Sequence, residues 1–172
     1  MELDMAIRER RSLRAYLSED VPQSLIDEAV ELASWAPSAG NLQSRDFIVV
    51  RSSEMRAALA DAALGQDFIA EAPVVIVVVA NLERIRPYGS RGRELYAVQD
   101  AAAATQNLLL ALHSRGLGSV WVGAFNEKAA SKALGLPHFA RPVAIIPVGY
   151  PAETPGPPRH LRREEYVHME KW

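Results

Sequence analysis

The run Val74–Ala80, VVIVVVA, introduced by Pro73, constrains the fold of this 172-residue chain more than any other segment. It is β-branched almost throughout and lacks the polar alternation of a strand with one wet face. Such a strand belongs at the centre of a sheet with helices packed on both sides. It is far too short to cross a bilayer, which requires about 20 apolar residues in a helix.

The segments around it read accordingly. A short helix runs to about Arg10. Pro22 opens a second helix, SLIDEAVELASWA, with Leu25, Ala29, Leu32 and Ala33 on one face, and Pro37 ends it. The stretch PSAGNLQS is a loop by composition. Asp46–Arg51 reads as a strand, and Ser53–Leu64 as a helix with Met55, Leu59 and Ala63 aligned. A loop over Asn81–Gly92 leads into the longest helix, Arg93–Arg115, which Gly116 closes. Then come a short strand SVWVG, a helix from an Asn126 N-cap to Leu134, and a strand VAIIPVGY. Strands alternating with helices predict an α/β or α+β fold. The length suits one domain over 1–172, with a proline-rich tail from about residue 150. That tail delivers Tyr166, Val167, Met169 and Trp172 beyond an extended linker, which predicts docking on a neighbouring subunit. A frayed end or a fold-back onto its own domain are the alternatives.

Several classes of chemistry find no support. Cysteine is absent, which excludes disulfides and thiolate metal sites and fits a cytoplasmic setting. The opening MELDMAIRERRSLRAY lacks the apolar stretch of a secretory signal. A net charge of −2 gives no global signature of nucleic-acid binding. His113, His138, His160 and His168 are scattered without metal-ligand spacing, so no metal is expected. No dinucleotide or phosphate-loop fingerprint occurs, and no G-x-S-x-G elbow surrounds Ser38.

Four constellations remain. Arg10, Arg11, Ser12 and Arg14 offer guanidiniums and a hydroxyl of the kind that satisfies a phosphate monoester; on its own the run reads first as a solvated helix end. The loop Pro37, Ser38, Gly40, Asn41 and Gln43 offers amides suited to a planar edge that displays both donors and acceptors, and equally reads as a plain turn. GLGSVWVGA, over Gly116–Ala124, is a helix stop and short strand whose small residues leave backbone N–H groups open, or a bare connection. In the long helix, Ala101–Ala104 permits close approach, and Asp100, Gln106 and Asn107 are candidates for hydrogen bonds across an interface.

Taken in order, RRSLRAY, APSAGNLQ, the helix with D-A-A-A-A-x-Q-N, GLGSVWVGAF and the closing EEYVHMEKW resemble the nitroreductase family of flavoproteins, over nearly the whole chain from Arg10 to Trp172. The resemblance implies an α+β, three-layer fold with a central mixed β-sheet flanked by helices, and a homodimer that exchanges its C-terminal tails. It implies FMN at the subunit interface, with NADH or NADPH as transient co-substrate and a nitroaromatic, quinone or similar small oxidant as acceptor in a ping-pong cycle. Arg10, Arg11, Ser12 and Arg14 look like phosphate and ribityl binders. Pro37, Ser38, Asn41 and Gln43 would meet the ribityl chain and ring, and the backbone of Val122, Gly123 and Ala124 would face N5. Arg159 with His160 or Arg162 would complete the phosphate clamp. No side-chain catalyst is implied; Tyr88, Arg91, Tyr96 and Trp121 are candidate pocket residues. The family also includes reductive dehalogenation, heterocycle dehydrogenation and flavin fragmentation, and a non-catalytic flavin-binding protein is a further alternative. Three departures stand out. Ser44-Arg45 follows the glutamine where many members have Pro-Trp. The C-terminal basic pair, often Lys-x-Arg or Arg-Arg, reads RHLRR in this chain, which leaves two registers open. Asn81–Gly92 is short beside the helical excursion of longer members, which predicts a more open pocket.

Overall fold

In the computed structural model, which describes all 172 residues, eight residues of β2 (Val74–Asn81) are buried without exception. The two-residue period of a strand sends Val74, Ile76, Val78 and Ala80 to one face and Val75, Val77 and Val79 to the other. The first set packs in a core with Ile26, Ala29, Leu108 and Leu112, the second in a separate core with Leu59, Ile69 and Ala130. Helices α2 (Gln23–Ser34) and α6 (Ala97–Ser114) therefore cover one side of the sheet. Helices α3 (Ser53–Ala62), α4 (Phe68–Glu71) and α7 (Glu127–Leu134) cover the other.

The sheet order is β1-β2-β4-β3, with β1 at Arg45–Val50, β3 at Gly118–Ser119 and β4 at Ala140–Gly149. These four strands pair antiparallel throughout. The mixed character expected of the sheet is confined to one parallel bridge, between Ser12 and Ser119. A bulge between Val78 and Val79 leaves Val143 without a partner on β2.

Local signals account for the element ends. After α6, Gly116 adopts φ 75°, its N–H donates to the His113 carbonyl, and the Leu117 N–H reaches back to Leu112. That paired closure satisfies carbonyls the helix would otherwise leave open, and it needs the left-handed residue that glycine supplies. Asn126 caps α7 by accepting the Ala129 N–H at 3.0 Å. The segment expected as an open loop, Asn81–Gly92, is instead largely helical. It forms a 3₁₀ turn at Arg86–Tyr88, a helical turn α5 (Gly89–Arg91) and a π turn at Gly92–Tyr96 that runs into α6. Ile85, fully buried, pins it to the core, a tertiary contact that composition does not announce. Helix α1 (Leu3–Glu9) precedes the arginine segment.

The last anchors of the C-terminal tail are the Tyr16–Pro151 bridge, the Ala152 N–H on the Ala15 carbonyl and the Glu153 carboxylate. From Gly156 onward every residue is exposed, including Leu161, Tyr166, Met169 and Trp172. No helix is long and apolar enough to cross a membrane.

Gly149 ends β4 with no room for a side chain. A Cβ there would lie 2.8 Å from the Pro73 ring and 3.0 Å from the Tyr16 Cβ, neither of them a flexible chain end. Gly149→Ala is expected to cost about 1–3 kcal/mol, as overpacking typically does. Urea unfolding checks this, and an unchanged midpoint would show that the strand end yields.

Candidate functional site

The arginine segment leaves α1 extended and is fastened by its backbone to the sheet edge. Ser12 bridges Ser119, the Leu13 N–H donates to the Ser119 carbonyl at 3.1 Å, and the buried Leu13 side chain lies over Gly118. The Arg14 and Ala15 N–H groups both donate to Glu153 Oε1, at 2.5 and 3.1 Å. With the backbone held, the guanidiniums are left over. Arg11 turns back to the carbonyls of Arg8 and Arg10, at 2.7 and 3.0 Å. Arg14 lies 5.9 Å from the centre of the Phe68 ring. Arg10 makes no hydrogen bond through its side chain, and burial, then the neighbouring Arg11 charge, pull its pKa below the ordinary range. None of the three reaches a carboxylate, whereas Arg51, Arg84, Arg115 and Arg141 each do. Like charges gathered without a counterion favour an anion between them.

The same edge continues to open amides. Val122 exchanges two backbone hydrogen bonds with Ile145, both at 3.0 Å. Beyond it Gly123 and Ala124 are exposed, and neither N–H donates within the chain. The Ala124 carbonyl accepts from Gln66 Nε2 at 3.2 Å, which holds the turn. The arginines and these amides thus share one border of the molecule, four residues apart along Ser119–Gly123.

The amide loop lies elsewhere. Residues Ala39–Asn41 form a 3₁₀ turn, and Gly40, Asn41 and Gln43 all take left-handed φ values, 56°, 55° and 49°. For a residue with a Cβ that conformation costs roughly 1–2 kcal/mol, so two in three positions is a concentration of strain. Its supports are all within the chain. Asp100 accepts the Ala39 N–H and the Ser44 hydroxyl; Ser38 Oγ accepts the Gln43 N–H; Arg84 donates to the Gln43 carbonyl at 2.9 Å. Arg45, buried, donates to the carbonyls of Ser34 and Ala36 at the end of α2. The side chains of Asn41 and Gln43, in contrast, are exposed and make no hydrogen bond, and Pro37 is exposed beside them. Tyr88 leans over the tip: a Cβ on Gly40 would come within 2.6 Å of its hydroxyl. It also stacks edge-on to Tyr96, whose hydroxyl accepts from Arg91 Nε at 2.9 Å.

Two of the sequence-based assignments change. Asp100 serves its own chain, because its oxygens are taken by Ala39 and Ser44, and no cross-interface role is left for it. Ser44-Arg45, a departure by pattern, is the footing of the loop. Of the tail residues, His160 shares a cleft of about 590 Å³ with Arg8, Arg10, Arg11 and Asp4. Arg162 pairs instead with Glu165 inside the tail, and Arg159 has no carboxylate partner. Of the support residues, Asp100 stands out in sequence by its polarity in an apolar helix and Arg45 by its departure from the family pattern, but neither as a support of this loop, and Arg84 carries no signal.

The two half-sites occupy diagonal corners. Ser119 pairs with Val148, which pairs with Val74, while the loop runs into Arg45, which pairs with Ala80. The six steps from Val74 to Ala80 therefore separate Ser12 and Ser119 from the loop by about 20 Å along β2 at 3.3 Å per residue. Val122, level with Val77 through Ile145, lies about half as far from it along the strand.

The sequence pattern of the nitroreductase family matches residues 7–67 and 62–150. A Methanothermobacter thermautotrophicus protein, provisionally named NADH dehydrogenase/NAD(P)H nitroreductase, is 37% identical over all of this chain and 88% of its own length. A Thermus thermophilus NADH dehydrogenase is 34% identical over 97% of this chain and 95% of its own. The crystal fold of an FMN-dependent nitroreductase from Clostridium difficile superposes with a TM-score of 0.84 at 26% identity, covering 99% of this chain and 100% of that one.

Strain at the loop tip has a measurable sign. Gln43→Gly relieves the left-handed penalty at an entropic cost of about 0.5–1 kcal/mol, so a gain of up to about 1 kcal/mol is expected in thermal melts. A lower melting midpoint would show that Gln43 is not strained. His113 gives a pH dependence. Burial, then the Arg10 charge, hold its pKa below the ordinary 6.5, so below that pH the unfolded chain binds a proton the native chain refuses. Stability therefore falls as pH drops from about 7.5 through 6.5, and urea titrations of His113→Gln should show a flatter slope. Equal slopes in variant and wild type would dismiss His113 as the cause.

Proposed function

The chain belongs to the nitroreductase family, and on that premise we propose that it is an FMN-dependent NAD(P)H oxidoreductase acting as a homodimer. The observation that carries the reading is the edge where Arg10, Arg11 and Arg14, none with a carboxylate partner, adjoin the open amides of Gly123 and Ala124. FMN fits it: a phosphate supplies the missing counter-charge, and a flavin presents acceptors to free N–H donors. Relatives named NADH dehydrogenase and NAD(P)H nitroreductase that align over nearly all of this chain, and an FMN-named structural neighbour, point the same way.

In this reading Arg10, Arg11, Ser12 and Arg14 bind the phosphate and ribityl chain, and His160 approaches the same cleft from the tail. Val122, Gly123 and Ala124 turn their backbone toward the N5 edge. Pro37, Ser38, Asn41 and Gln43 approach the ribityl chain and the pyrimidine edge. A mononucleotide is shorter than the stretch of strand between the arginine segment and the loop, so the loop is supplied by a second copy of the chain. The exposed tail and the exposed apolar residues of α1, Leu3, Met5 and Ile7, offer surface for that pairing. When bound, FMN supplies the two-electron chemistry, taking hydride from NADH or NADPH and passing it to a nitroaromatic, quinone or similar small oxidant in a ping-pong cycle. The residues orient, neutralise the phosphate and leave one ring face accessible beside Tyr88. No side chain is assigned a covalent role. The chain reads as one domain with an exchanged tail.

Purified protein is expected to be yellow, to elute as a dimer and to bleach anaerobically on adding NADH or NADPH. Colour without bleaching would convert the reading to a non-catalytic flavin protein, and a colourless monomer would remove it. Arg11→Ala with Arg14→Ala should weaken FMN binding about a hundredfold or more, at about 1.5–3 kcal/mol for each charge-assisted contact. The apoprotein should melt no lower than wild type, because the pair has no carboxylate to lose. Unaltered FMN affinity in this variant would move the clamp elsewhere.

A further inference from the structure

Asp100 is a carboxylate only 4% exposed, set among Ala97, Ala101 and Ala104 on the buried face of α6. No Lys, Arg or His nitrogen comes within ion-pair distance of it. Arg45, whose guanidinium feels its charge, donates through Nη2 to Ser34 and Ala36, leaves Nη1 buried without a partner, and makes no hydrogen bond to Asp100. A buried carboxylate without a contact cation is costly, and an apolar residue would pack the same space at lower cost. What Asp100 does hold is the two ends of one loop: Oδ1 accepts the Ala39 N–H at 2.9 Å, and Oδ2 accepts the Ser44 hydroxyl at 2.5 Å. Between those points lie Asn41 and Gln43, the two left-handed residues with free side chains. A strained tip persists only where its base over-determines it; Asp100 ties both ends of the base through one carboxylate, beside the Ser38–Gln43 bond and Arg45 on Ala36.

We infer that Asp100 is a positioning residue, whose buried carboxylate fixes the loop Ser38–Ser44 in the strained form that presents Asn41 and Gln43 to the flavin ring. The ligand rests on the flavin reading; the clamp rests on the two hydrogen bonds of the Asp100 carboxylate.

The test uses full-length Asp100→Asn, Ser44→Ala, Asn41→Ala and the Asp100→Asn/Asn41→Ala double variant, each titrated with FMN by fluorescence quenching. Asn keeps an uncharged acceptor for the Ala39 N–H, and its amide nitrogen in the place of Oδ2 can only donate to Ser44 Oγ, so both arms lose the carboxylate charge and one reverses direction. Asp100→Asn should bind FMN about tenfold more weakly, and Ser44→Ala more weakly by a smaller factor. If Asp100 acts through Asn41, the double variant binds no worse than the weaker single one, whereas independent structural damage adds. Amide exchange in the apoprotein reads the clamp without flavin: the Ala39 N–H should exchange faster in Asp100→Asn. Full additivity, a lowered melting point with wild-type FMN affinity, or unchanged Ala39 exchange would each overturn the inference. Should Asp100→Asn fail to fold, Ser44→Ala breaks only the Oδ2 arm and is read by the same criteria. A wild type that takes up no FMN overturns the ligand and the flavin reading together, and Ala39 exchange then still decides the clamp.

Discussion

Burial of β2 on both faces is the constraint from which the architecture follows. A strand whose residues from Val74 to Ala80 are all apolar and covered has no solvent-facing side, so helices must pack above and below it. Its period of two divides the interior into two cores, and these fix which helices lie on which side. α6 is thereby laid along the face where its Asp100 reaches the loop before β1. The same strand, by its length, separates the arginine edge from that loop. Site geometry is a consequence of a packing requirement.

Each half-site keeps something unresolved. At one corner Arg10 and Arg11 lie close together and Arg14 lies over Phe68, none of them paired with a carboxylate, although acidic partners are used freely elsewhere, as at Arg141 with Glu127, where the hydrogen bond between them lowers the Glu127 pKa. At the other corner, the backbone of Asn41 and Gln43 is strained while their amides stay idle. Neither condition is favourable for an isolated chain. Both are sustained by rigid supports: the bridge of Ser12 to Ser119 on one side, and Asp100, Arg45 and Arg84 on the other. Unspent charge and strain on firm footings are what a preorganised binding site requires, because the ligand then meets donors that need no reordering.

Much of this was legible in sequence for physical reasons that differ by element. The β-branched run revealed the central strand because burial on both faces removes alternation. Gly116 and Asn126 revealed helix ends because their roles depend on local backbone geometry. The arginine cluster and the Asn41–Gln43 loop could be singled out, but their separation could not, since it depends on strand pairing between Ser119, Val148 and Val74. Asn81–Gly92 read as a loop from its Gly and Pro content, yet Ile85 is drawn into the core and Gly92 leaves room for Tyr88, so tertiary packing folds it as helix. Asp100 read as an interface residue because a charge in an apolar helix needs a partner, and nothing local to the helix shows that the partners are Ala39 and Ser44. Propensity informs residues whose partners are near in the chain; these partners are about 60 positions away.

With the cofactor shared between two copies, as proposed, binding and assembly become one equilibrium. A flavin that touches Arg11 on one chain and Asn41 on the other binds the dimer and not the monomer, so it stabilises the dimer by mass action. Reciprocity then requires that whatever strengthens the dimer tightens the flavin by the same factor. The tail belongs to this balance. Tyr166, Met169 and Trp172 stand in solvent on the single chain, and apolar area buried on a partner contributes about 25 cal/mol per Å² to the dimer. A residue in the tail can thus raise cofactor affinity without touching the cofactor. Under the proposed pairing, the proline-rich linker would carry its terminal aromatics away from their own domain to a partner's surface, where their burial would support both corners at once.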